Sequence, residues 1–342
     1  MKTGIIALLL CIAAAVKAQD IHFSQFFMAP LNQNPALAGI GGRSEASLNY
    51  RSQWRSITIP YQTYAFQANS RFGGKKQRNF LAGGLQMYYD QSGDGLLRTT
   101  VVNLTLAAHV SISKYHKLGL GLQGGIGQRR IDFGDLQWGS QYTETGFNAQ
   151  VASGEVIGNP SFVYPDFSGG FLWSYDNNSG RNRVQGNNFN KGNVGLSMYH
   201  FNRPDYSFNN TGERMMTRWV FHGQFLVSLP NSKLAINPGW VAYLQGPNRE
   251  VLMGSMLRYD VLSESKYSGA FENVGVYLGA FYRWKDAVIV SSLIELGPWG
   301  FGFSYDANLS TLRPATNGRG GFEISIRYRG DASAFGKSVR LR

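Results

Sequence analysis

The sequence predicts an all-β protein: a transmembrane antiparallel β-barrel of about 14 strands with an N-terminal, plug-like periplasmic segment. Three observations predict it. Apolar and polar residues alternate strictly in runs of about 10 to 13 residues, long enough for tilted strands to cross hydrocarbon. Aromatic residues gather at the ends of these runs. The connections divide into very short turns and long loops. Composition agrees, with 42 glycines, 14% aromatic residues and only 16% charged residues in 342. Beyond the first 18 residues no apolar run approaches the roughly 20 needed for a spanning helix, which excludes a helical membrane bundle.

Residues 1–18 read as an export signal. Lys2 precedes an apolar run from Gly4 to Val16, and Val16-Lys17-Ala18 forms a small-residue cleavage site before Gln19. The run of about 13 residues is too short for a membrane span. Leu10 before Cys11 is too bulky for a lipoprotein site. Cleavage near Ala18-Gln19 removes the only cysteine, so the mature chain has no disulfide or thiolate chemistry. It also removes two lysines, taking the formal net charge from +12 to +10. The expected destination is the outer membrane.

Residues 19–42 form the next unit. Phe23, Phe26, Phe27, Met28 and Leu31 are too apolar for a solvated tail, while Pro30, Pro35 and Gly39 interrupt any helix or continuous strand. Such a segment needs a surface to bury against. It either plugs the periplasmic mouth of its own barrel or docks a partner. Phe23, Phe26, Phe27, Leu31, Asn34 and Pro35 are the candidate partner-binding residues.

Residues 43–330 are the barrel, and 331–342 a tail. Phe322, Ile324, Ile326 and Tyr328 fall on one strand face, with Glu323, Ser325, Arg327 and Arg329 on the other. Trp299, Phe301, Phe303 and Tyr305 alternate with Gly300, Gly302, Ser304 and Asp306; Val102 to Ile112 and Trp219 to Val227 behave alike. Strands are predicted at 45–51, 61–72, 80–89, 97–113, 117–130, 168–176, 192–201, 217–229, 233–245, 249–260, 273–284, 286–296, 299–308 and 319–329. The count is even, as a bacterial single-chain barrel requires. Tyr88, Tyr89, Trp173, Tyr175, Tyr282, Trp284, Trp299 and Tyr328 are the expected interfacial girdles. Short turns at Lys114–Lys117, Pro230–Ser232 and Gly297-Pro298 contrast with long loops at Ile131–Phe167 and Asn202–Met216.

Chemical motifs are weak. Gly119 to Gly124 matches the dinucleotide pattern Gly-x-Gly-x-x-Gly, but Leu118, Leu120, Leu122 and Ile126 alternate as a strand, not a strand-to-helix turn. His22, His109, His116, His200 and His222 lack metal-site spacing. His109 and Ser111 share a strand face, which fits a lumen wall as well as a hydrolase pair. Asp90, Asp94, Asp132 and Asp135 have no calcium-loop pattern. The expectation is therefore no catalytic, cofactor or metal site. Basic clusters at Lys75, Lys76, Arg78, Arg129, Arg130, Arg181 and Arg183 suit outer-membrane lipid head groups or an acidic partner. They lack the interleaved patch that nucleic acid needs.

Several stretches carry a resemblance: His22-Phe23-Ser24-Gln25-Phe26 with Pro30-Leu31 and Asn34-Pro35-Ala36; Tyr50-Arg51-Ser52-Gln53-Trp54; Gly195 to His200 with Pro204; Tyr305-Asp306 through Ser310; and Gly320 to Ser325. Together they resemble the PorP/SprF family, outer-membrane proteins of the type IX secretion system in Bacteroidota. The resemblance implies a non-enzymatic component that assists export or cell-surface anchoring of a large adhesin with a type B C-terminal domain, in gliding or attachment. It also implies other type IX secretion components as partners on the periplasmic side. A passive diffusion channel is the alternative. The long loop between Arg130 and Phe167, and a chain end in Arg-Leu-Arg, depart from the family pattern.

Overall fold

The structure, a computed structural model, describes residues 20–56, 59–72, 78–93, 96–132, 136–154, 160–177, 190–208, 212–262, 274–311 and 313–330. The expected signal peptide, the tail 331–342, and Lys75, Lys76, Asp94, Asp135, Arg181 and Arg183 lie outside the described residues.

Among the described residues, sixteen strands follow three short 3-10 turns. They are β1 (Ser44–Gln53), β2 (Tyr61–Arg71), β3 (Phe80–Ser92), β4 (Leu97–Ser111), β5 (His116–Arg130), β6 (Tyr142–Thr143), β7 (Gly146–Phe147), β8 (Ser161–Asp176), β9 (Asn190–Tyr199), β10 (Arg218–Ser228), β11 (Leu234–Gln245), β12 (Asn248–Leu262), β13 (Val274–Arg283), β14 (Ala287–Leu296), β15 (Trp299–Asn308) and β16 (Arg319–Gly330). All but β6 and β7 join one closed barrel, in which sequence neighbours pair antiparallel and β5 pairs β8 directly. The β6–β7 hairpin belongs to the long loop between them. The barrel closes where β1 pairs β16, from Ser44 opposite Gly330 to Gln53 opposite Gly321. Among the described residues no helix is long and apolar enough to cross a membrane.

Alternation sets which way each side chain points, and the result inverts a soluble protein. Leu104, Leu106, Leu120 and Leu122 are 63 to 68% exposed on the outer face. Asn103, Thr105, His109 and Gln123 on the same strands are buried within. An apolar outside around a polar inside is stable where the outer solvent is hydrocarbon. Closure also leaves no unpaired sheet edge for the bilayer to meet.

The predicted strands and their count of fourteen agree with this barrel. Most boundaries shift by at most three residues, and one moves further: β8 begins at Ser161 rather than 168. Pro165 within this strand faces out, and the inward residues Tyr164, Asp166 and Ser168 mix aromatic, acidic and hydroxyl groups, which hides the period. One girdle assignment also changes. Tyr88 points into the lumen and packs against Phe23, Ala29 and Ala65, because adjacent Tyr88 and Tyr89 must face opposite sides. Trp299 and Tyr328 do meet on the outer face, rings 5.0 Å apart and edge-to-face.

Antiparallel order defines two rims. Ser44 and Gly330 lie at one, together with the 112–115, 229–233 and 297–298 turns; Gln53, Tyr199 and Gln245 lie at the other, with the 131–160 and 200–217 loops. The former is the periplasmic rim of an outer-membrane barrel, and the latter the outer rim.

Candidate functional site

Residues 20–43 run inside the barrel from one rim to the other. Prolines start the second and third 3-10 turns, Pro30–Asn32 and Pro35–Leu37, where their missing N–H is no loss. The Asn34 side chain caps the third by accepting from Ala36 N–H at 2.8 Å. The first turn, Phe26–Met28, is wholly buried. The sequence alone favoured folding at the periplasmic mouth. The structure instead carries the segment through the lumen, so that Asp20 sits at the outer rim beside Gln245.

Contacts with opposite walls fix this path. Leu31 N–H donates to Gln67 on β2 at 2.9 Å, and Tyr199 on β9 donates its hydroxyl to Leu31 carbonyl at 2.8 Å. Phe26 and Phe27 meet Phe281 on β13, with ring centres 5.6 and 6.0 Å apart. These rings and Met28 belong to an apolar cluster with Val220, Val241, Leu252 and Ile289. Each buried aromatic contributes about 2 kcal/mol. The β3–β5 wall offers amides instead: Gln86 donates to Asn32 at 3.3 Å and accepts from Gln123 at 3.1 Å.

The wall is shaped to receive the segment. A Cβ on Gly121 of β5 would overlap the backbone of Pro35 and Ala36, and one on Gly170 of β8 would strike the Asn34 amide. Inward glycine therefore leaves the space that the segment fills. The dinucleotide-like run thus belongs to strand β5.

A buried ionic network pins the outer half. Glu323 accepts from the backbone N–H groups of Ser24 and Gln25 at 2.6 and 2.8 Å, and from Arg51 at 3.1 Å. Ser24 donates its hydroxyl to Asp306 at 2.7 Å, and Arg283 bridges both from 2.6 and 2.9 Å. Arg51 also donates to the His22 carbonyl. Charges buried this deeply are tolerable because each is paired and hydrogen-bonded.

A second cluster holds Asp20. Its carboxylate lies 2.6 Å from His200 Nε2 and 3.4 Å from Arg218 Nε, while His200 Nδ1 lies 2.8 Å from Asp166. Burial disfavours charge on His200, but Asp20 and Asp166 outweigh it and raise its pKa to about 9. Burial likewise opposes ionised Asp20, yet His200 and Arg218 hold it well below the usual carboxylate range. His22 goes the other way. Burial and the nearby Arg51, Arg283 and Arg218 push it well below its ordinary value, so its 3.4 Å contact with Glu250 involves a neutral ring.

Phe23, Phe26, Phe27, Leu31, Asn34 and Pro35 are all buried among the wall residues. The structure brings these six together, but against the barrel itself, since the lumen already satisfies their apolar surface. Sequence reading missed Arg51, His200, Arg218, Arg283, Asp306 and Glu323. The available signal was that Arg51, His200, Asp306 and Glu323 each sit inside one of the quoted motifs. His109 bonds Ala38 carbonyl at 3.0 Å and stacks on Phe80, whereas Ser111 donates to Arg78 carbonyl. They do not form a nucleophile–base pair. Arg129 stacks over Tyr206, 4.3 Å from its ring centre. No group of three or more His, Cys, Asp or Glu is arranged to hold a metal among the described residues.

A closed barrel with an apolar exterior, a polar wall and a lumen occupied by its own N-terminal segment defines an outer-membrane β-barrel protein. The family model described as type IX secretion system membrane protein PorP/SprF matches residues 15–328, and the chain belongs to that family. No curated protein matches. Among solved structures, the CymD monoaromatic hydrocarbon channel is similar at 9% identity and a TM-score of 0.44, over 89% of this chain and 94% of that one. BamA from Haemophilus ducreyi lacking POTRA domains 1–3 shows 10% identity and a TM-score of 0.40, over 84% and 70%. The β domain of the Bordetella autotransporter Brka shows 12% and 0.39, over 84% and 99%.

Proposed function

We propose that this protein is a non-enzymatic outer-membrane component of type IX secretion that assists export or cell-surface anchoring of a large adhesin bearing a type B C-terminal domain. Other components of the secretion machinery meet it on the periplasmic side. The family supplies the secretion role. The observation that carries the reading further is the segment 20–40, tied to both walls by the residues of the family-like motifs. A lumen occupied in this way suits a scaffold better than a solute pore. On this reading Phe23, Phe26, Phe27, Leu31, Asn34 and Pro35 seat the segment, and a partner engages it from the rims.

Deleting the gene and measuring adhesin on intact cells with antibody tests the reading. Loss of display, with the adhesin retained inside, is the expected result; normal display sinks it. The diffusion-channel alternative draws on the polar wall. Reconstitution in planar bilayers separates the two, since a channel gives large, steady conductance and a plugged scaffold little.

A further inference from the structure

Toward the periplasmic rim the segment leaves a lumenal cavity of about 150 Å³. Arg71, Lys117, Lys191, Arg327 and Arg329 converge on it from β2, β5, β9 and β16, against two acids, Asp176 and Glu295, among the described lining residues. Period two makes these long side chains point inward, so charges from opposite walls gather in one space. Glu295 is already engaged by Arg327 at 3.1 Å and by the Tyr277 hydroxyl at 2.8 Å. Arg329 is held by Glu45 at 3.3 Å. Lys117 and Lys191 form no ion pair among the described residues, and Lys191 remains exposed inside the cavity.

The rest of the lining is informative. Phe27, Ile40 and Leu293 give an apolar floor, while Asn193, Gln224 and Asn237 present amides. Cations, amide donors and an apolar floor together match an extended peptide carrying carboxylates and an apolar side chain. Lipid head groups are separated from the cavity by the strand wall. The chain's own tail is a poor occupant, because Lys337, Arg340 and Arg342 outnumber Asp331.

We propose that this cavity is a docking site for an acidic peptide segment of a periplasmic partner. The proposal deepens the secretion reading and rests on it for the partner's identity. The test is fluorescence anisotropy of a labelled Glu-rich peptide with interspersed Leu, added to the full-length protein in detergent, with a Lys-rich analogue as control. The Glu-rich peptide should bind and the Lys-rich one should not. Lys117→Glu with Lys191→Glu should weaken binding about tenfold or more, whereas Lys191→Arg should retain it. Resistance of the unheated barrel to unfolding in gels checks that each variant is folded. No binding of the Glu-rich peptide, equal binding by the double variant, or displacement by inorganic phosphate at matched ionic strength overturns the proposal. These outcomes are read on purified protein, so they fail independently of adhesin display in the deletion strain.

Discussion

His200 Nε2 stands 2.6 Å from the Asp20 carboxylate, so the first described residue of the chain is fastened to the loop after β9, 180 positions later. Asp166 completes the clamp from the other ring nitrogen. Both nitrogens face carboxylates, which is why the ring stays protonated at neutral pH.

The clamp should open in alkali. The His200 pKa is raised from 6.5 to about 9, so its contribution is full below about pH 6.5 and disappears as pH rises through about 9. Asp20 is lowered, so its contribution is present above its ordinary value and disappears only in strong acid. Hydrogen exchange at residues 20–25 should therefore accelerate between about pH 7 and about pH 10, after correction for intrinsic rates, and His200→Gln should abolish that step. Unchanged protection across this range refutes the clamp.

Arg51→Met should be among the costliest single substitutions. It leaves Glu323 and Asp306 short of a cation in a buried site, which costs about 3–5 kcal/mol. Thermal unfolding in detergent reads the loss, and a shift no larger than that of a surface arginine such as Arg214 speaks against the network.

Gly121→Val should displace the segment, because the added methyl groups occupy the position of the Pro35–Ala36 backbone. Planar-bilayer conductance should rise from little to large while the barrel stays folded. Conductance equal to that of the unmodified protein refutes the fit between glycine and segment.

Leu104→Arg tests the outer face. At mid-strand and 66% exposed, Leu104 would be indifferent to arginine in water. In a bilayer the change should cost about 2–4 kcal/mol. Equilibrium unfolding in lipid vesicles measures it, and a change near zero removes Leu104 from the hydrocarbon belt.

The strands were readable because alternation is local: β15 and β16 declare both faces within ten residues or so. Pro165 and the mixed inward side of β8 hid seven residues of one strand. The segment's apolar content and prolines announced that it needed burial, but not how deep it lay. Depth depends on Gly121, Gly170 and Gly302, scattered over β5, β8 and β15, whose convergence exists only after the barrel closes. Likewise, nothing local links Arg51 to Glu323 or Asp20 to His200. Each is a partnership between distant strand or loop positions that share a rim.

The path of residues 20–43 also ties the barrel's seam to what the barrel holds. The segment precedes β1, yet begins at the outer rim and ends at the periplasmic one, so it lies along the inside of the seam that shuts the cylinder. That seam is the β1–β16 ladder, Ser44–Gln53 against Gly321–Gly330. Glu323, which binds Ser24 and Gln25, lies on that closing strand and opposite Arg51 of β1. The residues that grip the segment thus include those of the seam itself, so the join that shuts the container is also a clasp on its contents.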